Sequence, residues 1–113
     1  MRLIEEWWIQ RAELFRRIMN ELIGSDVVQK DRRWSVSAAR AMVTYCLVRE
    51  GCKLLDAAQL MQRHHATILY HMQIVDNILS SPGYKAEKEL FKKFKKKIHE
   101  YDSVQDRAFY NQA

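Results

Sequence analysis

The stretch Leu54-Leu55-Asp56-Ala57-Ala58-Gln59-Leu60-Met61-Gln62-Arg63-His64-His65-Ala66-Thr67-Ile68-Leu69-Tyr70 decides how the fold is read. It predicts a short helix carrying two small residues, a tight turn, and a second helix that opens on basic and hydroxyl groups. A unit of that kind is what insertion into a DNA major groove requires. The two helices are expected at about 54–61 and 64–79. Ile68, Met72, Val75 and Leu79 recur at helical spacing and form the expected buried stripe of the second helix. Ala66, Tyr70, Gln73 and Asn77 fall on the opposite side, with Thr67 on its shoulder.

Upstream, residues 2 to 23 read as an amphipathic helix on Ile4, Trp8, Phe15, Ile18, Met19 and Leu22. Gly24-Ser25-Asp26 stops it and offers an N-cap for a short turn of helix at 27–30. A basic loop, Lys30-Asp31-Arg32-Arg33, precedes a second long helix at about 36 to 50 that buries Val36, Ala39, Val43, Cys46 and Leu47. Downstream, Ser80-Ser81-Pro82-Gly83 breaks the chain. A closing helix from about 84 to 101 packs Leu90, Phe91, Phe94, Ile98 and Tyr101, with Lys85, Lys88, Lys92 and Lys96 turned outward. Past Asp102 a polar, fraying tail is expected.

Three glycines and one proline in 113 residues leave few turns, and no run alternates as a strand does. The expected class is all-α, a single bundle of about five to six helices over residues 1–113. No apolar stretch approaches the ~20 residues that span a bilayer, and charges at Glu5, Glu6 and Arg11 interrupt any secretory pattern. The expected setting is cytoplasmic and nucleoid-associated, with Cys46 and Cys52 as reduced thiols. The formal net charge of +5 is unevenly placed. Residues 30–65 hold seven Lys/Arg against three Asp/Glu, residues 84–98 hold seven Lys against two Glu, and the remainder is acidic. Two basic segments on a mildly acidic body suit a phosphate-facing surface.

In register with the signature I-G/A-x-x-F-G-R-D-H-T/A-T-V-x-H/Y-A stand Ala57-Ala58, Leu60-Met61, Arg63, His65, Ala66-Thr67, Ile68 and Tyr70. Further blocks, Val36-Ser37-Ala38-Ala39-Arg40 and Tyr45-Cys46-Leu47-Val48-Arg49-Glu50, parallel a family helix that begins V-x-A-R and runs into Y-L-x-R-E. Over roughly residues 14 to 98 the chain therefore resembles the C-terminal DNA-binding domain of the bacterial replication initiator DnaA, a Trp-repressor-like helix-turn-helix. The family's ATPase module needs a glycine-rich phosphate loop that this chain lacks.

The resemblance implies that the protein recognises double-stranded DNA, in replication control, in transcription or for a mobile element. It gives His65 a phosphate or base contact and Thr67 a thymine methyl or phosphate. Ala66 can touch a thymine methyl, and Tyr70 stands where the family often has histidine. Arg40 corresponds to the family arginine that reaches an adjacent minor groove. Arg33, Arg63 and Lys53 are the expected phosphate contacts. His64 departs from the family's aspartate and reverses an acceptor into a donor, so the family's target sequence does not carry over.

Set against this is a helical interaction module that kept the fold and lost DNA binding. Trp7 and Trp8 lie about 100° apart on a helix, so one of them is expected to be exposed for a partner or self-association. A third reading takes the lysine-rich helix as a binder of anionic membrane or RNA. His64, His65, His71, Cys46 and Cys52 match no zinc-ligand spacing, and no nucleophile–base set stands out. Neither a metal, a cofactor nor catalysis is expected.

Overall fold

The structure, a computed structural model, describes the backbone of residues 3–112 and the side chains of residues 3–107. Among these residues the chain is all-helical, in the order α1 (Glu6–Ile23), α2 (Trp34–Arg49), α3 (Leu54–Leu60), α4 (His65–Ser80) and α5 (Lys85–Gln112). The number of helices and the all-α class are as the sequence predicts, and several boundaries are not.

The first helix begins at Glu6 rather than Arg2, and Arg2 lies outside the described residues. The Glu5 carbonyl accepts the first helical bonds, from the amides of Trp8 at 3.0 Å and Ile9 at 3.2 Å. Leu3, one turn earlier, has nothing to pack on and is fully exposed. The helix ends where expected: Gly24 takes φ 70 and its amide donates to the Asn20 carbonyl at 2.8 Å. That left-handed conformation suits glycine, which has no Cβ to clash.

The expected helix at 27–30 is reduced to a single hydrogen-bonded turn, in which the Gln29 amide donates to the Asp26 carbonyl at 3.2 Å. Asp26 does cap the Val28 amide, at 3.0 Å, and Asn20 Oδ1 accepts from the Val27 amide at 2.9 Å. Val27 is fully buried, and its carbonyl is taken by an arginine side chain instead of a helical amide. The segment is therefore an irregular loop sewn down by side chains.

The central element is α2. It packs against each of the other four helices. Its buried residues are Val36, Ala38, Ala39, Arg40, Ala41, Met42, Val43, Thr44 and Leu47, and they run round most of its circumference. A helix buried on nearly all sides is expected to be hydrophobic all round rather than striped. Gly51, at φ 112, closes it before α3.

In α4 the buried face is Ile68, His71, Ile74, Val75 and Ile78, so the expected stripe is rotated. Leu79 is 44% exposed and Met72 is half-buried. The periodicity of apolar residues skipped His71, whose ring enters the core because Thr44 of α2 gives it a polar partner at 3.1 Å. Ala66, Tyr70, Gln73 and Asn77 are all exposed, as predicted.

The last helix runs on to Gln112 instead of fraying after Asp102. At ~1.5 Å per residue its 28 residues span ~42 Å, close to the 45 Å longest dimension of the molecule. Phe94 packs edge-to-face on Phe15 at 5.7 Å and Phe91 on Tyr45 at 5.9 Å, while Tyr101 stays 42% exposed. What carries the helix past its apolar stretch is ionic. Asp102 receives two bonds from Arg11, at 2.7 and 2.8 Å, and the same guanidinium donates to Glu50 at the end of α2 at 2.8 Å. Arg11 also lies 4.8 Å from the centre of the Phe15 ring. No helix among the described residues is long and apolar enough to cross a membrane.

Candidate nucleic-acid interface

The turn between α3 and α4 is built by Met61, Gln62, Arg63 and His64. Met61 is fully buried beneath it, and Gln62 takes the left-handed φ of 55. The Arg63 amide then reaches back to the Ala58 carbonyl at 2.9 Å, which closes the C-terminus of α3. His64 is the N-cap of α4: its Nδ1 accepts from the Ala66 amide at 3.2 Å. An accepting Nδ1 leaves the ring proton on Nε2, so the outward nitrogen of His64 is a donor. The His65 ring packs against it at 4.2 Å.

Along α4 the exposed side begins with His65 and Ala66 and continues through Leu69, Tyr70 and Gln73. Tyr70 is 60% exposed. Thr67 is half-buried on the shoulder, and Ile68 beside it is fully buried. His64, His65, Ala66, Thr67 and Tyr70 are thus gathered on the first turns of one helix. Leu69, which the sequence reading left unassigned, joins them because it stands one helical step from Tyr70 on the same exposed surface.

The arginines behave differently from one another. Arg40 does not stand out toward solvent as its expected minor-groove role requires. It is 6% exposed, and its guanidinium donates to the carbonyls of Val27 at 2.6 Å, Gln29 at 2.6 Å and Asp31 at 3.1 Å. The five-donor fork buried beneath the loop thus supplies hydrogens to three of its carbonyls, of which Gln29 O also accepts from the Asp31 amide at 2.8 Å. Glu50 is no partner of Arg40 and is bound to Arg11 at 2.8 Å instead. Burial and the neighbouring charge of Arg63 lower the pKa of Arg40 from its ordinary value.

Arg63 grips the same loop from the turn, donating to Val28 O at 3.0 Å and Gln29 O at 3.1 Å as well as to Met61 and Gln62 beside it. Its remaining exposure is partial. Arg33 is exposed and forks onto Asp31 at 2.7 Å; that pairing holds the Asp31 carboxyl down at about 2. Lys53 is exposed at the N-cap of α3. A hollow of about 390 Å³ lies between loop and turn, lined by Lys30, Asp31, Arg32, Arg40, Gln62 and Arg63.

His71, weighed as a metal ligand, is instead a buried core group. The Thr44 hydroxyl donates its single proton to the Arg40 carbonyl at 3.0 Å, so the ring supplies the hydrogen of the Thr44–His71 bond. Burial, with Arg40 and Arg63 nearby, pushes the His71 ring down to about 4. Burial also pushes the Cys46 thiol up to about 12 and that of Cys52 up to about 11, so neither is a thiolate at neutral pH.

The sequence reading did not find the Arg11 clamp, the Arg40–loop anchorage or the Thr44–His71 bond. Each joins residues distant along the chain. No family model matches the chain, and neither a curated protein nor a solved structure matches it.

Proposed function

We propose that the chain binds double-stranded DNA by laying the N-terminal turns of α4 in the major groove, as its resemblance to the DnaA DNA-reading domain suggests. One observation carries most of this reading. His65, Ala66, Tyr70 and Gln73 are exposed together on a helix whose opposite side is locked into the core by Ile68 and Val75. A recognition helix needs such a division, with base-facing side chains free and the helix itself immobile. His64 presents its Nε2 donor beside them, suited to a phosphate oxygen or a guanine acceptor. On this reading Arg33, Lys53 and the exposed part of Arg63 supply sequence-independent attraction to phosphates. Arg40 serves the site indirectly, by fixing the loop that carries Lys30, Arg32 and Arg33.

The test is selection of bound duplexes from a randomised pool, followed by binding to the enriched site. Enrichment of a motif that is lost on His65→Ala and Thr67→Ala supports the proposal. No enrichment, with equal weak binding to all duplexes, overturns it. A second reading rests on Trp7, which is 58% exposed beside a groove that Leu14 and Tyr101 also line. In that reading the α1–α5 face binds a protein. A Trp7-dependent complex in sedimentation, together with failure of the DNA selection, would favour it.

A further inference from the structure

Two aromatic rings meet at the surface from positions fifty residues apart in the chain. Trp34 opens α2 and Tyr84 immediately precedes α5. Their ring centres are 6.1 Å apart at an interplanar angle of 41°, yet the residues remain 46% and 43% exposed. Contact between them therefore leaves much of both rings uncovered, which is unfavourable for apolar surface unless something else covers it. Tyr84 is also held at φ 60, a region that bulky residues rarely occupy. Its carbonyl accepts the Lys88 amide at 2.9 Å, so the start of α5 fixes this conformation.

The chemistry around the pair is cationic. Arg32 and Arg33 precede Trp34 directly, and Lys85 follows Tyr84. All three are exposed, and neither Arg32 nor Lys85 has an ion pair among the described residues. Aromatic faces interleaved with unpaired cations are complementary to an unstacked base on a phosphate backbone. Any base can stack on such a ring, and the cations follow the phosphates on either side.

We propose that the Trp34–Tyr84 pair is a stacking platform for single-stranded nucleic acid, with Arg32 and Lys85 as its phosphate contacts. Neither ring is among the residues assigned to the duplex, and the proposal stands without the duplex reading.

The experiment measures binding of the full chain to a labelled fifteen-nucleotide oligothymidylate, to an abasic oligonucleotide of equal length, and to a duplex. The abasic strand keeps the phosphates and removes the bases, so it isolates stacking from charge. The oligothymidylate is expected to bind roughly tenfold more tightly than the abasic strand. Trp34→Ala should abolish that difference and leave duplex binding unchanged. Tyr84→Gly should do the same; glycine accepts φ 60 freely, so this variant removes the ring without burdening the fold. Equal binding of the oligothymidylate and the abasic strand by the wild type would overturn the proposal. So would a preference that survives Tyr84→Gly. A chain that binds no duplex yet keeps its Tyr84-dependent preference retains this site and loses the α4 reading.

Discussion

Thr67 and Ile68 are neighbours in sequence with opposite surroundings, and on the proposed mode of binding they separate recognition from folding. Thr67→Ala removes a hydroxyl and a methyl from a half-buried shoulder position. It is expected to weaken the preferred DNA site by about 1–2 kcal/mol and to leave thermal unfolding nearly unchanged. Ile68→Ala empties a fully buried position and should cost about 2–4 kcal/mol of stability in urea unfolding. A drop in stability for Thr67→Ala matching that of Ile68→Ala would mean that α4 shows DNA the wrong face. His71 gives a prediction in pH. Its folded-state pKa of about 4 lies below the ordinary value of 6.5, so the unfolded chain takes up the proton first as pH falls. The stability due to its neutral form is complete above about 6.5, declines between 6.5 and about 4, and declines no further below that. The loss over this window is at most roughly 3 kcal/mol. Urea unfolding at pH 7 and pH 4.5 should show a smaller pH difference in His71→Gln than in the wild type.

At the level of elements, the turn between α3 and α4 rests on a residue that is not glycine. Gln62 is exposed and sits at φ 55, where a Cβ is unfavourable. Gln62→Gly is therefore expected to stabilise the fold by up to about 1 kcal/mol, and Gln62→Val to destabilise it. Thermal unfolding of the two variants should move in opposite directions; movement in the same direction would mean that the Gln62 side chain, not its backbone, matters. Helix content, helix order and the exposed face of α4 were legible in the sequence, since periodicity and breakers such as Gly24, Gly51 and Pro82 are local signals. The loop at 27–33 was not. Asp26 looks like an N-cap and acts as one, but the carbonyls that would have made a helix are claimed by Arg40, thirteen residues on from Val27. The buried face of α4 was misread by one position for a related reason. A histidine counts as polar in any periodicity, and only its partner on α2 makes it a core residue.

Across the whole molecule, Arg11 joins α1, the end of α2 and the distal part of α5 through Glu50 and Asp102. Its partners are only partly buried, so Arg11→Ala should cost less than the breaking of a fully buried pair, about 2–3 kcal/mol. The loss should be concentrated in α5 beyond Ile98, read as faster amide exchange there than in α2. Uniform acceleration in all helices would argue against a local clamp. The distribution of charge gives a second prediction at this scale. If the chain binds duplex DNA as proposed, contact with about four to six phosphates gives a log–log salt slope of roughly −4 to −5. Arg33→Ala should reduce it by about one unit, and Arg63→Ala should reduce it less, because that guanidinium is already committed to four backbone carbonyls. A larger change for Arg63 would place it on phosphate after all. Those same bonds have a mechanical consequence. Arg40 and Arg63 hold the 27–33 loop from beneath and from the side, and Arg63 is two residues from the start of α4. Loop and helix are thereby the two jaws of a caliper whose gap is preset. On the proposed mode of binding, a duplex must bring its phosphates to that fixed gauge, so sites whose grooves already have the matching width are favoured at base pairs that no side chain touches.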